Sequence, residues 1–190
     1  MKKQYRNSQR TKRMIRQAYA DLLGEKKDFT KITVSEIAEK ADIAKSTFYN
    51  HYDDLYCVAE EFENELISKL SDVLDEVEEA RAVEYSVYIK KIIEFLKENE
   101  EVYRRAIVSS DIRFFIEKLK NIISKKVFEN NSFIPPAVSE KSSERYVQIR
   151  FLTNACVDTM ADYFKGALGI SLDETGEIIL AFLNRFISKQ

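Results

Sequence analysis

The chain has 190 residues, 45% of them hydrophobic and 33% charged, which is enough for a packed core and too apolar for disorder. Four glycines and two prolines leave few turns and favour long helices, and no run of about 18 apolar residues or leader-like block suggests a membrane span or an exported chain. Cys57, Cys156 and a single histidine match no metal or redox spacing, so the expectation is a cytoplasmic protein without metal, cofactor or membrane partner.

The net charge of −2 hides an asymmetry. Residues 1–52 hold twelve Lys/Arg and six Asp/Glu, a balance of +6; residues 53–190 hold 18 basic and 26 acidic residues, a balance of −8. A basic head on an acidic body confines attraction for polyanions, and the associated counterion release, to one end.

Apolar residues recur at helical spacing throughout, and nothing reads as strand. Ile15, Ala18, Tyr19, Leu22 and Leu23 mark a first helix from about Gln9 to Glu25. Thr33 and Glu36 form a capping box opening a second, whose buried face is Val34, Ile37, Ala38 and Ala41. Asp42 stands where a left-handed backbone would turn the chain. Lys45 to about His51 forms a third helix, with Phe48 directed inward. The segment 33–52 thus reads as helix-turn-helix, and the outward side of its last helix is hydroxyls, an amide, a lysine and a phenol. Such a surface suits phosphates and base edges.

Asp53 and Asp54 are placed to open a long fourth helix, striped with Leu55, Val58, Ala59, Phe62, Leu66, Leu70, Val73 and Val77 and ended by the charged stretch from Glu78 to Glu84. Tyr85, Tyr88, Ile89, Ile92, Ile93 and Leu96 predict a fifth helix, Glu101–Val108 a short sixth, and Ile112, Phe115, Ile116, Leu119 and Ile123 a seventh. A loop runs from Asn130 to about Ser142 around Pro135-Pro136. The last two helices, about Ser143–Leu168 and Glu174–Ser188, carry apolar residues on more than one face. Such helices are either central to the core or paired with a second copy. A terminal helix seldom sits at the centre of a small bundle, so the expectation is a homodimer joined by four helices about a two-fold axis, using Phe151, Tyr163, Phe164, Ile179, Phe182 and Phe186.

The run Ile37-Ala38, Ala41, Lys45, Thr47-Phe48-Tyr49 and His51-Tyr52, followed by the fourth-helix start, resembles the TetR/AcrR family of transcriptional regulators over roughly residues 10–70. The Thr-Phe-Tyr-Asn-His-Tyr stretch also looks faintly like the dihydroxyacetone kinase regulator subgroup. The resemblance implies an all-α fold of about nine helices. Residues 10–70 would form the DNA-binding domain, and 71–190 a helical effector-binding and dimerisation domain. It implies DNA contacts by Thr33, Lys45, Thr47, Tyr49 and His51, with Ser46 and Asn50 on the exposed side of the third helix. For His51 a half-buried packing role is the competing reading. The sequence departs from the family pattern at three places. Asp42 replaces the usual Gly of the turn, and Ala44 the usual Ser cap. Ser46 stands where a smaller residue, often Gly, is common. In addition, Asp53-Asp54 occupy the place near which the family often has a phosphate-gripping Lys, a loss that Lys2, Lys3, Arg6, Arg10, Lys12 and Arg13 can offset.

In the larger part, Arg113, Asn154, Asp158 and Thr159 interrupt apolar faces. Together with Tyr103 and Phe151 they are candidates for an effector site, with inter-helix hydrogen bonding as the competing reading. The function these readings favour is a regulator, a repressor released by an effector, with the fourth helix as the mechanical link. Its operator is double-stranded DNA and its effector a small molecule or a protein. Control by a protein partner, or a structural role on DNA, are the alternatives. No nucleophile–base spacing, phosphate loop or metal cluster supports an enzyme.

Overall fold

The computed structural model describes residues 2–79, 85–108, 113–129 and 142–187. Among these the chain is all α. Its elements are α1 (Lys2–Lys26), a 3-10 turn (Phe29–Lys31), α2 (Val34–Lys40), α3 (Lys45–Tyr49), α4 (Leu55–Glu79), α5 (Tyr85–Glu98), α6 (Glu100–Val108), α7 (Arg113–Ile123) with a π-helical extension (Ser124–Glu129), α8 (Ser142–Phe164) and α9 (Leu172–Ile187). The first helix begins at Lys2, seven residues before the expected Gln9, because Lys, Gln and Arg are good helix formers that need no apolar stripe.

The head forms around α1, with Ile15, Ala18, Tyr19, Leu22 and Leu23 buried against Phe29, Ile37, Phe48, Val58 and Phe62. Aromatic edges lock these elements: Tyr19 meets Phe62 at 5.5 Å and Phe29 at 6.3 Å between ring centroids, both edge-on. The capping box of α2 is present, with Glu36 N–H donating to Thr33 Oγ and Thr33 N–H donating to Glu36 Oε2 at 3.0 Å. The far end of α2 closes with a paired turn, in which Asp42 N–H donates to Glu39 O and Ile43 N–H to Ala38 O. That turn requires a left-handed residue, and Asp42 supplies it at φ 51°. α3 then starts at Ala44 with no side-chain cap and is shorter than expected, Asn50 being its C-cap.

Asp54 opens α4 by accepting from Cys57 N–H at 2.9 Å, as its position suggested. α4 runs from the head into the body and buries Val58, Phe62, Leu66, Leu70, Leu74 and Val77. Leu74, not the expected Val73, takes the fully buried place, since an i, i+4, i+7 step from Leu70 turns it to the core while Val73 lies half-buried. The rest of the charged stretch, 80–84, lies outside the described residues, as do Ile112 and the Pro135-Pro136 loop.

α5 to α9 surround the lower half of α4. The π-helical turn after Ile123 was not expected; it keeps Val127 and Phe128 fully buried. α8 ends in the same paired turn as α2, with Gly166 at φ 77°. A second capping box, Ser171 with Glu174, starts α9 at Leu172, two residues before the predicted Glu174. α9 crosses α5 closely at Gly176, where a Cβ would come within 2.8 Å of Ile93 Cγ1.

Candidate nucleic-acid interface and effector cavity

The turn and α3 are held from below by Phe48, which is fully buried and touches Tyr49 edge-on at 5.4 Å and Tyr52 at 5.9 Å. With Phe48 inward, the opposite side of α3 presents Lys45, Ser46, Tyr49 and Asn50. All four are exposed, Tyr49 by 57%, and none uses a side-chain polar atom within the chain among the described contacts. Four unspent donors on one small face is the arrangement a phosphate or base-edge contact needs. Thr47 and His51 lie half-buried at the flanks. Thr33 is exposed, but its hydroxyl accepts from Glu36 N–H and donates to Glu36 Oε2 at 2.9 Å. Its hydroxyl holds the start of α2 and is already committed to Glu36 in both directions.

Beneath this face lies a support that local sequence patterns did not reveal. Arg16 on α1 donates through Nε to Glu65 at 2.9 Å and through Nη1 to Glu61 at 2.7 Å and Tyr52 Oη at 3.4 Å. Lys12 pairs with Glu61 at 3.0 Å and sits 4.8 Å above the Tyr52 ring. Burial pushes the Tyr52 phenol up to about 12, so it stays neutral. Burial also pushes the Glu61 and Glu65 carboxyls up, but their lysine, arginine and tyrosine partners outweigh it and hold both below the usual range. Lys12 is thereby engaged, whereas Arg10 and Arg13 stay exposed without a described partner. The side chains of Lys2, Lys3 and Arg6 lie outside the described residues.

The body has a cavity of about 60 Å³ between Leu70 of α4, Ile93 of α5, Ile107 of α6, Leu119 of α7, Met160 of α8 and Ile179 of α9. Of the predicted effector residues only Tyr103 lines it, and its hydroxyl donates to Leu66 O on α4 at 2.7 Å. Phe151 faces away at 67% exposure, Asp158 forms a surface pair with Lys120 at 2.9 Å, and half-buried Asn154 is not in the wall. These three do not line the cavity, because Cys156, Val157, Met160 and Ala161 occupy the face of α8 turned toward it. Arg113 begins α7, but its side chain lies outside the described residues.

The predicted dimer residues divide in the same way. Phe164 at 1% and Ile179 at 7% exposure belong to the protomer's own core, and Tyr163 is half-buried with its hydroxyl donating to Glu100 at 2.8 Å. Phe151 and Phe182, at 67% and 69%, stand exposed beside Val147 and Ile178, an apolar face shared by α8 and α9. The Phe186 side chain is outside the described residues. Val147 and Ile178 belong to this face and were not among the expected interface residues, although both lie in the apolar stretches of α8 and α9.

Besides α4, a second tie joins body to head. Arg105 of α6 donates to Asp21 at 2.9 Å and to Ala20 O at 3.4 Å, both on α1, and pairs with Glu101. It lies directly over Gly24, where a Cβ would come within 2.7 Å of Arg105 Nε. No helix among the described residues is long and apolar enough to cross a membrane.

These features have counterparts in known proteins. No family model matches the chain. A curated relative, an uncharacterized HTH-type transcriptional regulator YxbF from Bacillus subtilis (strain 168), is 44% identical over 43 residues, which are 23% of this chain and 11% of that protein. Similar solved structures cover nearly the whole chain. A TetR transcriptional regulator from Streptococcus agalactiae 2603V aligns at a TM-score of 0.71 with 20% identity, covering 95% of this chain and 97% of that one. The dihydroxyacetone kinase operon activator DhaS aligns at 0.65 with 19% identity, covering 94% and 96%. RolR in complex with resorcinol aligns at 0.61 with 14% identity, covering 95% and 89%. The chain has the all-α fold of the TetR-type regulators, as its helix-turn-helix motif led us to expect.

Proposed function

We propose that the protein is a sequence-specific DNA-binding transcription regulator that works as a homodimer and represses its target until an effector occupies the body. The observation that carries this is the α3 face, where Lys45, Ser46, Tyr49 and Asn50 offer unspent polar atoms on a head whose balance of charge is +6. Lys45 and Tyr49 would anchor phosphates, and Asn50 has the amide needed for a paired contact to adenine. Two such heads would read half-sites about 34–36 Å apart. The apolar face containing Phe151, Ile178 and Phe182 is the surface on which a second copy would pair.

The effector would act through its different affinity for the DNA-competent and incompetent arrangements. α4 and Arg105 of α6 are the two connections through which occupancy of the body would reach the head. The similarity to RolR, whose structure holds resorcinol, supports a small molecule over a protein as the signal. The similarity to DhaS, described as an activator of the dihydroxyacetone kinase operon, favours a second reading in which the same dimer activates.

Fluorescence anisotropy with duplex from upstream of its own gene, beside a scrambled duplex, tests the proposal. The native duplex should bind more tightly. Lys45→Ala and Tyr49→Phe should each weaken binding by about tenfold, the value of one charge-assisted hydrogen bond, and Lys45→Ala should lower the salt slope by about one. Equal binding to both duplexes would overturn a site-specific role, and transcription in vitro from the same promoter separates repression from activation.

A further inference from the structure

We infer that the body cavity takes a compact, uncharged, hydrocarbon-like molecule of about one ring, and rejects ionised molecules of the same shape. The proposal rests on the effector reading for what occupancy does, and on the wall alone for what is admitted. Sixteen residues line the cavity, seven of them isoleucine, and none carries a formal charge. Only Tyr103, Cys156 and Met160 bring a heteroatom in their side chains. The Tyr103 hydroxyl is committed to Leu66 O on α4 at 2.7 Å, so its hydrogen is not available to a guest. Burial pushes the Cys156 thiol up to about 12 and the Tyr103 phenol higher still, so neither ionises near neutral pH.

A charged guest would therefore leave water for a wall that offers neither a counter-charge nor a free strong donor, the most unfavourable transfer a small group can make. Water is a poor occupant for the same reason. The volume of about 60 Å³ exceeds by several-fold the roughly 10–15 Å³ one water needs, but a buried water wants two to four polar partners. Lys120 of α7 and Asp158 of α8 pair with each other at 2.9 Å and are not part of the lining. An apolar guest gains contact with a lining that is almost wholly apolar. The space is smaller than the roughly 150 Å³ that holds a benzene ring in other protein interiors. The unbranched Met160 side chain, half-buried in the wall, can swing to supply the difference.

Toluene, benzoate and benzylammonium share a ring and differ in charge, and they make the test. Thermal unfolding of the full chain should shift upward with toluene in a dose-dependent way, with an affinity at least a hundredfold above either ion. Leu119→Ala, which enlarges the cavity, should strengthen toluene binding several-fold. Ala161→Met, which fills it, should weaken binding by a similar factor, so the two variants bracket the site even if one folds poorly. Benzoate or benzylammonium binding as tightly as toluene would overturn the proposal, as would toluene binding that neither variant changes, or no toluene binding to any of the three proteins. DNA anisotropy with toluene present keeps the two readings apart: binding that leaves DNA affinity unchanged overturns the effector role and leaves the ligand class standing.

Discussion

The head and the body are built from similar helices but finished differently. In the head, almost every buried ring meets another, Tyr19 with Phe29 and Phe62, Phe48 with Tyr52, and the charged groups of α1 and α4 form one connected set through Arg16 and Lys12. In the body, rings also meet, Tyr103 with Phe95 and Phe115 and Tyr163 with Phe164, but the centre holds a cavity lined mostly by aliphatic side chains, and Gln148 Oε1 and Thr153 Oγ1 are buried without a hydrogen-bond partner. The head places a few side chains at fixed positions on a surface, which a jigsaw of rings and ion pairs achieves. The body leaves empty space at its centre, and such space is where a guest or a second conformation finds room.

The largest effects should expose this contrast directly. Phe48→Ala removes the fully buried ring beneath α3 and should destabilise the head by about 3–5 kcal/mol, with loss of DNA binding. The opposite change in the body, Ala161→Met, adds volume next to the cavity and should stabilise by about 0.5–2 kcal/mol. Chemical denaturation of both variants reads the comparison; equal destabilisation by the two would mean that the cavity is not spare volume.

Smaller changes sharpen it. Ala44 begins α3 without a side-chain cap, so Ala44→Ser should add about 1 kcal/mol by satisfying an amide in the first turn, visible as slower amide exchange in α3. Gly24→Ala should cost little stability, since Arg105 is flexible and alanine favours a helix. Its methyl would nevertheless displace Arg105 from Asp21, so DNA affinity should persist while the response to effector weakens. An unchanged response would leave α4 as the sole link.

The smallest expected effect is on pH. Glu61 and Glu65 are buried enough for that burial to push them up, yet Lys12, Tyr52, Lys69 and Arg16 hold both below 4.5, and Lys26 and Thr33 hold Glu36 below the same value. Because these pKa values are depressed in the folded state, the stability they contribute is present above about pH 4.5 and is lost as pH falls through the folded values. All three lie in the head, so heteronuclear NMR in acid should show head resonances changing before those of the body. Simultaneous loss would place the acid-sensitive groups elsewhere.

Much of the head was legible because its signals are local. The Thr33–Glu36 box spans three residues, the Asp42 turn five, and Asp54 caps α4 within three, so each is specified by bonds a short segment makes with itself. The same holds for the exposed side of α3, once Phe48 is directed inward. The sequence by itself therefore determined the course of the helices, the caps of α2 and α4, the basic end of the molecule and the α3 surface.

The tertiary structure alone decided the rest. α8 and α9 have apolar residues on two faces, and periodicity cannot say which face meets the core. Packing against α5, α6 and α7 turned Phe164 and Ile179 inward and left Phe151 and Phe182 outside. Arg16 finds its partners 36 to 49 residues away, and Arg105 finds Asp21 at a separation of 84. The cavity is a gap among six helices to which no single helix contributes a recognisable pattern. Local bonds follow from neighbouring residues along the chain, whereas burial, ion pairs across elements and empty space depend on where every other element comes to rest.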